Sequence, residues 1–399
     1  MQDTFIIDGV RTAIGSFRGG LSSVRTDDLA AHVIRALISR HEQLDPAAID
    51  DVILGCANQA GEDNRNIARM ALLLADLPWS IPGETINRLC ASGMSAVVHA
   101  HRAIQTGDGD LFIAGGVENM TRGPWVISKS DQAFGANVEM HDSSFGWRFI
   151  NPAMKSKYGT ESMGETAENL ATMYNISRID QDRFAYNSQR KAVAAKSVFK
   201  EVIIPLMVPR KKQDPFVFDK DEFMKPQTTL EGLAALRPAF RENGTVTAGN
   251  SSGLNDGAAA LLISSELGVR QNNLKPFARI VASAVVGVEP RIMGIGPVNA
   301  TKNALKKAGL KLDEMDVIEI NEAFAAQVLA CTRNLGLEDE DERVNKYGGA
   351  IALGHPLGMS GARIILSAAR TLQRLDKKYA LATMCIGVGQ GYAVILEKV

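Results

Sequence analysis

The tetrapeptide Asp51-Val52-Ile53-Leu54 decides the fold, because a similar run, Asp316-Val317-Ile318-Glu319, opens the second part of the chain. Each run starts an apolar stretch that is typical of a buried strand. Cys90 lies 39 positions after Asp51, and His355 lies 39 positions after Asp316. The equal spacing predicts two similar halves, with one reactive side chain at the same place in each.

The elements around these marks occur in the same order in both halves. Each half has a helical pattern, a strand-like run, a turn of small residues, a second helical pattern and a further strand-like run. The matching helical patterns are 27–38 with 300–307 and 96–104 with 362–372, and the closing strands are 111–114 and 381–383. Alternating strands and helices predict two α/β units whose mainly parallel sheets are covered on both faces.

The sequence changes character between residues 121 and 246, where prolines and large aromatic residues alternate with many charges. Patterns at 165–174 and 181–196 predict short helices joined by loops. Insertions of this kind commonly carry substrate-binding surfaces. The expected domains are an N-terminal half from 1–120 plus 247–272, an inserted loop domain at 121–246, and a C-terminal half at 273–399.

The composition is that of an ordinary globular protein, with 45% hydrophobic and 22% charged residues among 399. A net charge of −1 argues against a nucleic-acid partner and against binding to an acidic membrane. The four cysteines are widely separated, so neither a zinc site nor a disulfide framework is expected. Free thiols favour a reducing compartment, and we expect a cytoplasmic protein.

Three side chains carry the candidate chemistry. Cys90 lies just before a helical pattern, where unpaired backbone N–H groups and the helix dipole are expected to lower the pKa of its thiol. His355 lies in a glycine-rich turn, and Cys385 precedes three further glycines. Each could be an ordinary buried side chain, but together a nucleophilic thiol, an imidazole base and a second thiol indicate covalent acyl transfer.

The glycines at 387, 389 and 391 also resemble part of a dinucleotide-binding fingerprint. Such a fingerprint opens a helix after a strand, whereas residues 392–396 have the pattern of another strand. A nicotinamide-dependent oxidoreductase is therefore disfavoured.

Over essentially its whole length the chain resembles the thiolase family. Six motifs occur in the family's order, and together they are specific although each alone is weak. They are 87–94, 247–257, 287–297, 321–327, 348–361 and 385–391. The resemblance implies the thiolase fold, a five-layered αβαβα core from two similar halves with an inserted loop domain, and a homo-oligomer that is a dimer or a tetramer.

The same resemblance implies roles for five residues. Cys90 would attack the 3-keto carbon of a 3-oxoacyl-CoA, His355 would take its proton, and Cys385 would act as the acid or base at the carbon that is released. Asn321, through a water molecule, and Gly387, through its backbone N–H, would help to stabilise the oxyanions. Coenzyme A (CoA) is then a substrate, and no cofactor or metal is expected.

Further residues match the family's CoA-binding positions. Ser252 matches a pantetheine contact, and Lys225 stands where an arginine commonly stacks on adenine. The apolar positions along the family's CoA-binding tunnel match Met163, Phe240, Met293 and Phe324. Ser162 stands where many acetoacetyl-CoA thiolases have histidine, which argues against acetoacetyl-CoA as the substrate.

Three strings resemble the β-ketoadipyl-CoA thiolase group within the family, namely 56–66, 146–152 and 387–391. The implied reaction is the cleavage of 3-oxoadipyl-CoA by CoA into succinyl-CoA and acetyl-CoA. The distal carboxylate of this substrate requires a cation, for which Arg148 and Arg65 are candidates. Either arginine could instead be a structural ion-pair partner.

Three alternatives stay open from the sequence. One is a general 3-ketoacyl-CoA or acetoacetyl-CoA thiolase with the same machinery and a different pocket. A ketosynthase-like condensing enzyme is disfavoured, because such enzymes generally use Cys-His-His and Asn321 matches the second histidine. A thiolase-fold lipid-binding protein without catalysis is disfavoured, because the chain has the complete set of Cys90, Asn321, His355 and Cys385.

Overall fold

The computed structural model describes residues 2–399. The strands are β1 (Thr4–Arg11), β2 (Gly15–Ser16), β3 (Asp51–Gly55), β4 (Gly83–Ile86), β5 (Leu111–Asn119), β6 (Trp125–Ile127), β7 (Met140–Asp142), β8 (Leu206–Arg210), β9 (Gln213–Phe218), β10 (Asn255–Ser265), β11 (Ala278–Gly287), β12 (Val317–Ile320), β13 (Tyr379–Ile386) and β14 (Gln390–Lys398). The α-helices are α1 (Thr26–Ser39), α2 (Ile67–Leu74), α3 (Ser92–Thr106), α4 (Pro152–Tyr158), α5 (Met163–Met173), α6 (Arg178–Ala194), α7 (Lys196–Phe199), α8 (Leu230–Ala234), α9 (Glu266–Gln271), α10 (Gly296–Ala308), α11 (Ala325–Leu335), α12 (Ala350–Leu353) and α13 (Leu357–Leu375).

The main sheet is built from two similar parts. The strand order is β4-β3-β5-β10-β1 in the N-terminal part and β12-β13-β14-β11 in the C-terminal part. The two parts join through a short pairing of Phe5 with Arg279 and Ile6 with Ala278. β3 contains the first repeated run and β12 most of the second, and the two strands pair in parallel with the equivalent strands β5 and β13.

The prediction of mainly parallel sheets was wrong. Within the main sheet of residues 2–399, the parallel pairs are β3 with β4, β3 with β5, and β12 with β13. β10 runs antiparallel to β5 and β1, and β14 runs antiparallel to β13 and β11. The connection between β13 and β14 is the short turn 387–389, and so short a turn permits only antiparallel pairing.

Helices α3 and α13 form the central layer. α3 packs on β3 and β5, α13 packs on β12 and β13, and the two helices pack against each other. Glycine makes this approach feasible, because a Cβ on Gly361 would lie 2.3 Å from the backbone N of Met94. On the outer faces, α1 and α2 contact the N-terminal strands, while α10 contacts β11 and β14 beside α11. The five layers are therefore the outer helices of the N-terminal half, its strands, the central helices, the strands of the C-terminal half and its outer helices.

The inserted segment lies between β5 and β10 and contains α4 to α8 with two hairpins, β6–β7 and β8–β9. The helices expected at 165–174 and 181–196 are α5 and α6, and both begin earlier than predicted. After this excursion β10 returns to pair with β5 along its length. The insertion is therefore anchored at both ends to the same sheet.

Candidate active site

Cys90 lies in the 3₁₀ turn Leu89–Ala91, between the end of β4 and the start of α3. Leu89 has a positive φ of 47°, which is uncommon for a bulky residue. Cys90 as a whole residue is half-buried, and the backbone N–H of Gly387 lies within hydrogen-bonding reach of its thiol. The turn therefore presents the sulfur to groups from the second half of the chain.

The charge state of Cys90 differs from the sequence prediction. Burial raises the pKa of the thiol, although the backbone N–H groups of Gly387 and of Cys90 itself act in the opposite direction. α3 begins only at Ser92, so the sulfur lies before the first turn of the helix. The thiol is thus neutral at rest, and it needs a base before it can attack.

His355 is suited to be that base. Burial lowers the pKa of its imidazole to about 3, with a smaller contribution from the charge of Arg363, so the ring is neutral near physiological pH. Its Nδ1–H donates to Ser360 Oγ at 2.6 Å, and that hydroxyl donates to the carbonyl of Pro356 at 2.8 Å. The Nδ2 of Asn321 donates to Nε2 at 3.3 Å. Because an amide nitrogen only donates, Nε2 is the nitrogen that can accept a proton.

The starts of the two central helices, which follow Cys90 and His355, are in contact with each other. Gly93 and Gly358 lie three residues beyond Cys90 and His355, respectively. Their backbones touch, since a Cβ on Gly93 would lie 2.5 Å from the carbonyl oxygen of Gly358. The turn of His355 is also held by its backbone N–H, which donates to Asn255 Oδ1 at 2.9 Å.

Cys385 and Gly387 lie at the end of β13 and in the turn that follows it. Cys385 is 1% exposed. Burial raises the pKa of its thiol well above the usual range, and the nearby thiol of Cys90 acts in the same direction. A Cβ on Gly387 would lie 3.3 Å from Leu89 and 3.7 Å from the sulfur of Met163. A protonated thiol and a backbone donor therefore accompany the candidate nucleophile.

Asn321 follows β12 directly and is fully buried. Its backbone N–H donates to the carbonyl of Thr383 at 3.0 Å, which fixes it beside β13. Its side-chain Oδ1 has no hydrogen-bond partner among residues 2–399. A buried oxygen in this state is costly unless it accepts a hydrogen bond from water or from a ligand, so Oδ1 is suited to hold a water molecule at the site.

Sequence reasoning missed Glu118, near the end of β5. Its buried carboxylate accepts the backbone N–H groups of Ala57 and Asn58 at 3.0 Å each and that of Gly358 at 2.9 Å. Burial raises the pKa of this carboxyl to about 7. One side chain thus joins the loop after β3 to the turn that follows His355. In the sequence, Glu118 could have been noticed as the one acidic residue in the mainly apolar run that forms β5.

The predicted tunnel residues lie together. One apolar cluster includes Met163, Met293, Phe324 and Cys385. Phe240 meets Phe324 edge to face with ring centroids 6.0 Å apart, and Phe240 is 39% exposed, so these rings lead from the cluster to the surface. Beside them, the backbone N–H of Ser252 donates to the carbonyl of Ala323 at 3.0 Å.

The three predicted cations are on loops. Lys225 is exposed, with its Nζ 4.9 Å from the ring centroid of Phe223. Arg148 is partly buried, and its Nη1 donates to the carbonyl of Ser143 at 2.6 Å. Arg65 is exposed and has a positive φ of 67°. Within residues 2–399 neither arginine pairs with a carboxylate, so the alternative of a structural ion pair is not observed.

Arg148 is tied to the loop after β3. The same Ser143 accepts hydrogen bonds from Asn58 Nδ2, at 2.9 Å on its hydroxyl and 3.3 Å on its carbonyl. Asn58 is in turn one of the two loop residues held by Glu118. The inserted domain and the loop that carries Arg65 are therefore connected through this small network.

Residues 2–399 contain no group of three or more His, Cys, Asp or Glu side chains arranged to hold a metal ion. They also contain no helix that combines the length and the apolar character needed to cross a membrane.

The family models match nearly all of the chain. The model of the thiolase N-terminal domain matches residues 4–267, and that of the thiolase C-terminal domain matches residues 274–398. The chain therefore belongs to the thiolase family, and it is an acyltransferase.

Individual members of the family are similar to this chain over its full length. The chain is 58% identical to the 3-oxoadipyl-CoA/3-oxo-5,6-dehydrosuberyl-CoA thiolase of Escherichia coli (strain K12), with 100% of both chains covered. It is 55% identical, with the same coverage, to a beta-ketoadipyl-CoA thiolase of Acinetobacter baylyi. Among solved structures, human mitochondrial 3-ketoacyl-CoA thiolase is 40% identical with a TM-score of 0.93, covering 100% of this chain and 99% of the human one.

Proposed function

We propose that this chain cleaves 3-oxoadipyl-CoA with CoA into succinyl-CoA and acetyl-CoA. The proposal rests on the thiol of Cys385 lying close to that of Cys90, and on the backbone contact between Gly93 and Gly358, which follow Cys90 and His355. The chain is also 58% identical to a 3-oxoadipyl-CoA thiolase over its full length. A neutral thiol, a neutral imidazole and a protonated second thiol are the three groups that thiolytic cleavage requires.

In the first half-reaction, Nε2 of His355 takes the proton of the Cys90 thiol as the sulfur attacks C3 of the substrate. In this proposal the backbone N–H groups of Cys90 and Gly387 stabilise one developing oxyanion, and a water molecule held by Asn321 helps to stabilise the other. The C2–C3 bond then breaks, and its electron pair goes to C2. Cys385 donates its proton to C2, which releases acetyl-CoA and leaves a succinyl thioester on Cys90.

In the second half-reaction, the thiol of CoA gives its proton to the thiolate of Cys385. The sulfur of CoA attacks the succinyl thioester, and the sulfur of Cys90 leaves and recovers its proton from His355. Both side chains return to their starting protonation states. Because the first product leaves before CoA reacts, the kinetics are expected to be ping-pong.

The function is tested by comparing kcat/KM for CoA-dependent cleavage of 3-oxoadipyl-CoA, acetoacetyl-CoA and a medium-chain 3-oxoacyl-CoA. We expect a preference of at least about tenfold for 3-oxoadipyl-CoA, which corresponds to about 1.4 kcal/mol of transition-state stabilisation. Equal or better use of the neutral chains would keep the thiolase chemistry and refute the dicarboxylate specificity.

We propose Arg148 as the partner of the distal carboxylate, because it is partly buried and lacks a carboxylate partner in residues 2–399. Replacing Arg148 by Met should raise KM for 3-oxoadipyl-CoA about tenfold or more, as expected for the loss of a charged hydrogen bond, and leave KM for acetoacetyl-CoA nearly unchanged. Arg65→Met, on the neighbouring loop, is the matched control, and it should leave KM for 3-oxoadipyl-CoA nearly unchanged. An equal effect of Arg148→Met on both substrates would contradict the assignment.

We further propose a division of labour and an assembly. The N-terminal half (1–120 plus 247–272) supplies the nucleophile, the inserted domain (121–246) binds CoA and the acyl chain, and the C-terminal half (273–399) supplies His355 and Cys385. CoA acts as a substrate, and the enzyme needs no cofactor. We propose that the protein is cytoplasmic. We also propose that it is a homo-oligomer, which the apolar side chains exposed by the β6–β7 hairpin support.

A further inference from the structure

A cavity of about 40 Å³ lies beside α13, away from the residues described above. Four arginines contribute to its lining, namely Arg11, Arg363, Arg370 and Arg374. The rest of the wall is mainly apolar and comes from the segment 198–202 and from α13. A small, largely apolar cavity with four guanidinium groups around it is an unusual electrostatic environment.

Three of the four charges have carboxylate partners. Arg11 forms a two-pronged pair with Asp221, at 2.6 and 2.7 Å. Arg370 pairs with Asp8, and Arg374 pairs with Glu201. The carboxylates of these pairs neutralise the three guanidinium groups.

Arg363 has no such partner. Its side chain is 3% exposed, and its Nε and Nη2 have no hydrogen-bond acceptor among residues 2–399. The Nε of Arg370 in the same wall also lacks an acceptor. Buried guanidinium N–H groups are costly to leave without acceptors, so these donors require a partner that the protein does not supply.

Glu319 is the carboxyl group with the strongest electrostatic effect on Arg363. It forms no ion pair with Arg363 within 4 Å, and it accepts a hydrogen bond from Ser367 at 3.0 Å. Burial raises the pKa of Glu319 to about 7, so this carboxyl is only partly ionised near neutral pH. Glu319 therefore compensates the charge of Arg363 incompletely.

We propose that this cavity is a binding site for a small monovalent anion of the halide class, held by the N–H groups of Arg363 and Arg370. A volume of about 40 Å³ has room for one or a few particles the size of a water molecule, which matches the size of a halide ion. α13 begins two residues after His355. The anion therefore stabilises the helix that follows the candidate base.

The direct test is diffraction from crystals of the full chain grown or soaked in sodium bromide, with data collected at the bromine absorption edge. The expected result is an anomalous peak inside the cavity, within hydrogen-bonding distance of Arg363. Bromide peaks confined to the protein surface, with water alone beside Arg363, would overturn the proposal.

A solution test uses the melting temperature in sodium chloride, sodium bromide and sodium gluconate at one ionic strength, gluconate being too large to enter. Because a ligand that binds the native state stabilises it, chloride and bromide should raise Tm by about 2 °C with saturation, and gluconate should not. Arg370→Met should abolish the difference between the salts, and the exposed Arg270→Met should retain it. If Tm follows ionic strength alone in the native chain, the proposal fails.

Discussion

At the scale of single residues, burial sets the chemistry of the candidate nucleophile. A thiol in the first turn of a helix would be expected to ionise easily, but Cys90 precedes that turn and burial raises its pKa. Burial likewise keeps His355 neutral, with a pKa of about 3. The resting pair is therefore thiol and imidazole, not thiolate and imidazolium.

This charge state predicts the pH dependence of alkylation. With a raised pKa, the rate at which iodoacetamide modifies Cys90 in the free protein should keep rising from about pH 6 to about pH 9, because the thiolate fraction keeps rising. Mass spectrometry of the peptide that contains Cys90 measures this rate separately from the three other cysteines. A rate that is constant between about pH 5 and about pH 8 would indicate a preformed ion pair and contradict the prediction.

Glu118 provides a second prediction at this scale. Replacing it by Gln leaves at least one of its three N–H donors without an acceptor, so the free energy of unfolding should fall by about 1–3 kcal/mol. kcat should fall more than KM rises, because the turn after His355 shifts. Glu84→Gln, at an exposed position on β4, is the control.

The pKa of Glu118 adds a pH signature. Its folded pKa of about 7 lies above its ordinary value of 4.5, so the native state binds more protons between these values. This contribution to stability is full below about pH 4.5 and is lost as the pH rises through about 7. The difference in unfolding free energy between the native chain and Glu118→Gln should therefore shrink over that range. A constant difference would contradict the assignment of the raised pKa to Glu118.

At the scale of elements, the site depends on the packing of α3 against α13. Each helix follows one reactive residue, and glycines at the contact let the two backbones approach each other. The sequence shows small residues at both helix starts, but only the structure shows that Gly93 faces Gly358 and that Gly361 faces Met94. This mutual fit positions Cys90 relative to His355.

The contact is tested by Gly361→Ala. The added methyl group would lie 2.3 Å from a backbone nitrogen, so the helices must separate, at a cost of about 1–3 kcal/mol in unfolding free energy. kcat should also fall, because the base moves away from the thiol. Gly287→Ala is the matched control, since a Cβ there has no heavy atom within 4 Å. Equal denaturant midpoints for the two variants would rule out a tight contact.

At the scale of the whole molecule, the β6–β7 hairpin of the inserted domain exposes several large apolar side chains. Trp125, Ile127 and Met140 are 72%, 61% and 60% exposed, and Phe134 lies at the tip. Exposed apolar groups this closely spaced mark contact surfaces between proteins. They are the physical support for the proposed homo-oligomer.

The double variant Trp125→Ser with Ile127→Ser should therefore lower the molar mass measured by light scattering to that of a smaller assembly, with the circular dichroism spectrum unchanged. Ile179→Ser, which changes an exposed apolar residue of α6, should leave the molar mass unaltered. An unchanged mass for the double variant would place the interface elsewhere.

The sequence by itself determined the two similar halves and the inserted segment, and it identified Cys90, His355 and Cys385 as the candidate reactive side chains. These features are local or repetitive: apolar runs, glycine-rich turns and equal spacing follow from the order of residues alone. A strand at 392–396, which is part of β14, also followed from its local pattern, and it removed the dinucleotide alternative.

Tertiary structure decided the rest. Strand direction in β10 depends on where the chain returns after a long insertion, and the pKa of Cys90 depends on burial and on the distant Gly387. The roles of Glu118 and Arg363 arise from partners that are present or absent in space. No local pattern encodes these properties, because desolvation and hydrogen bonding between remote segments exist only after the chain has folded.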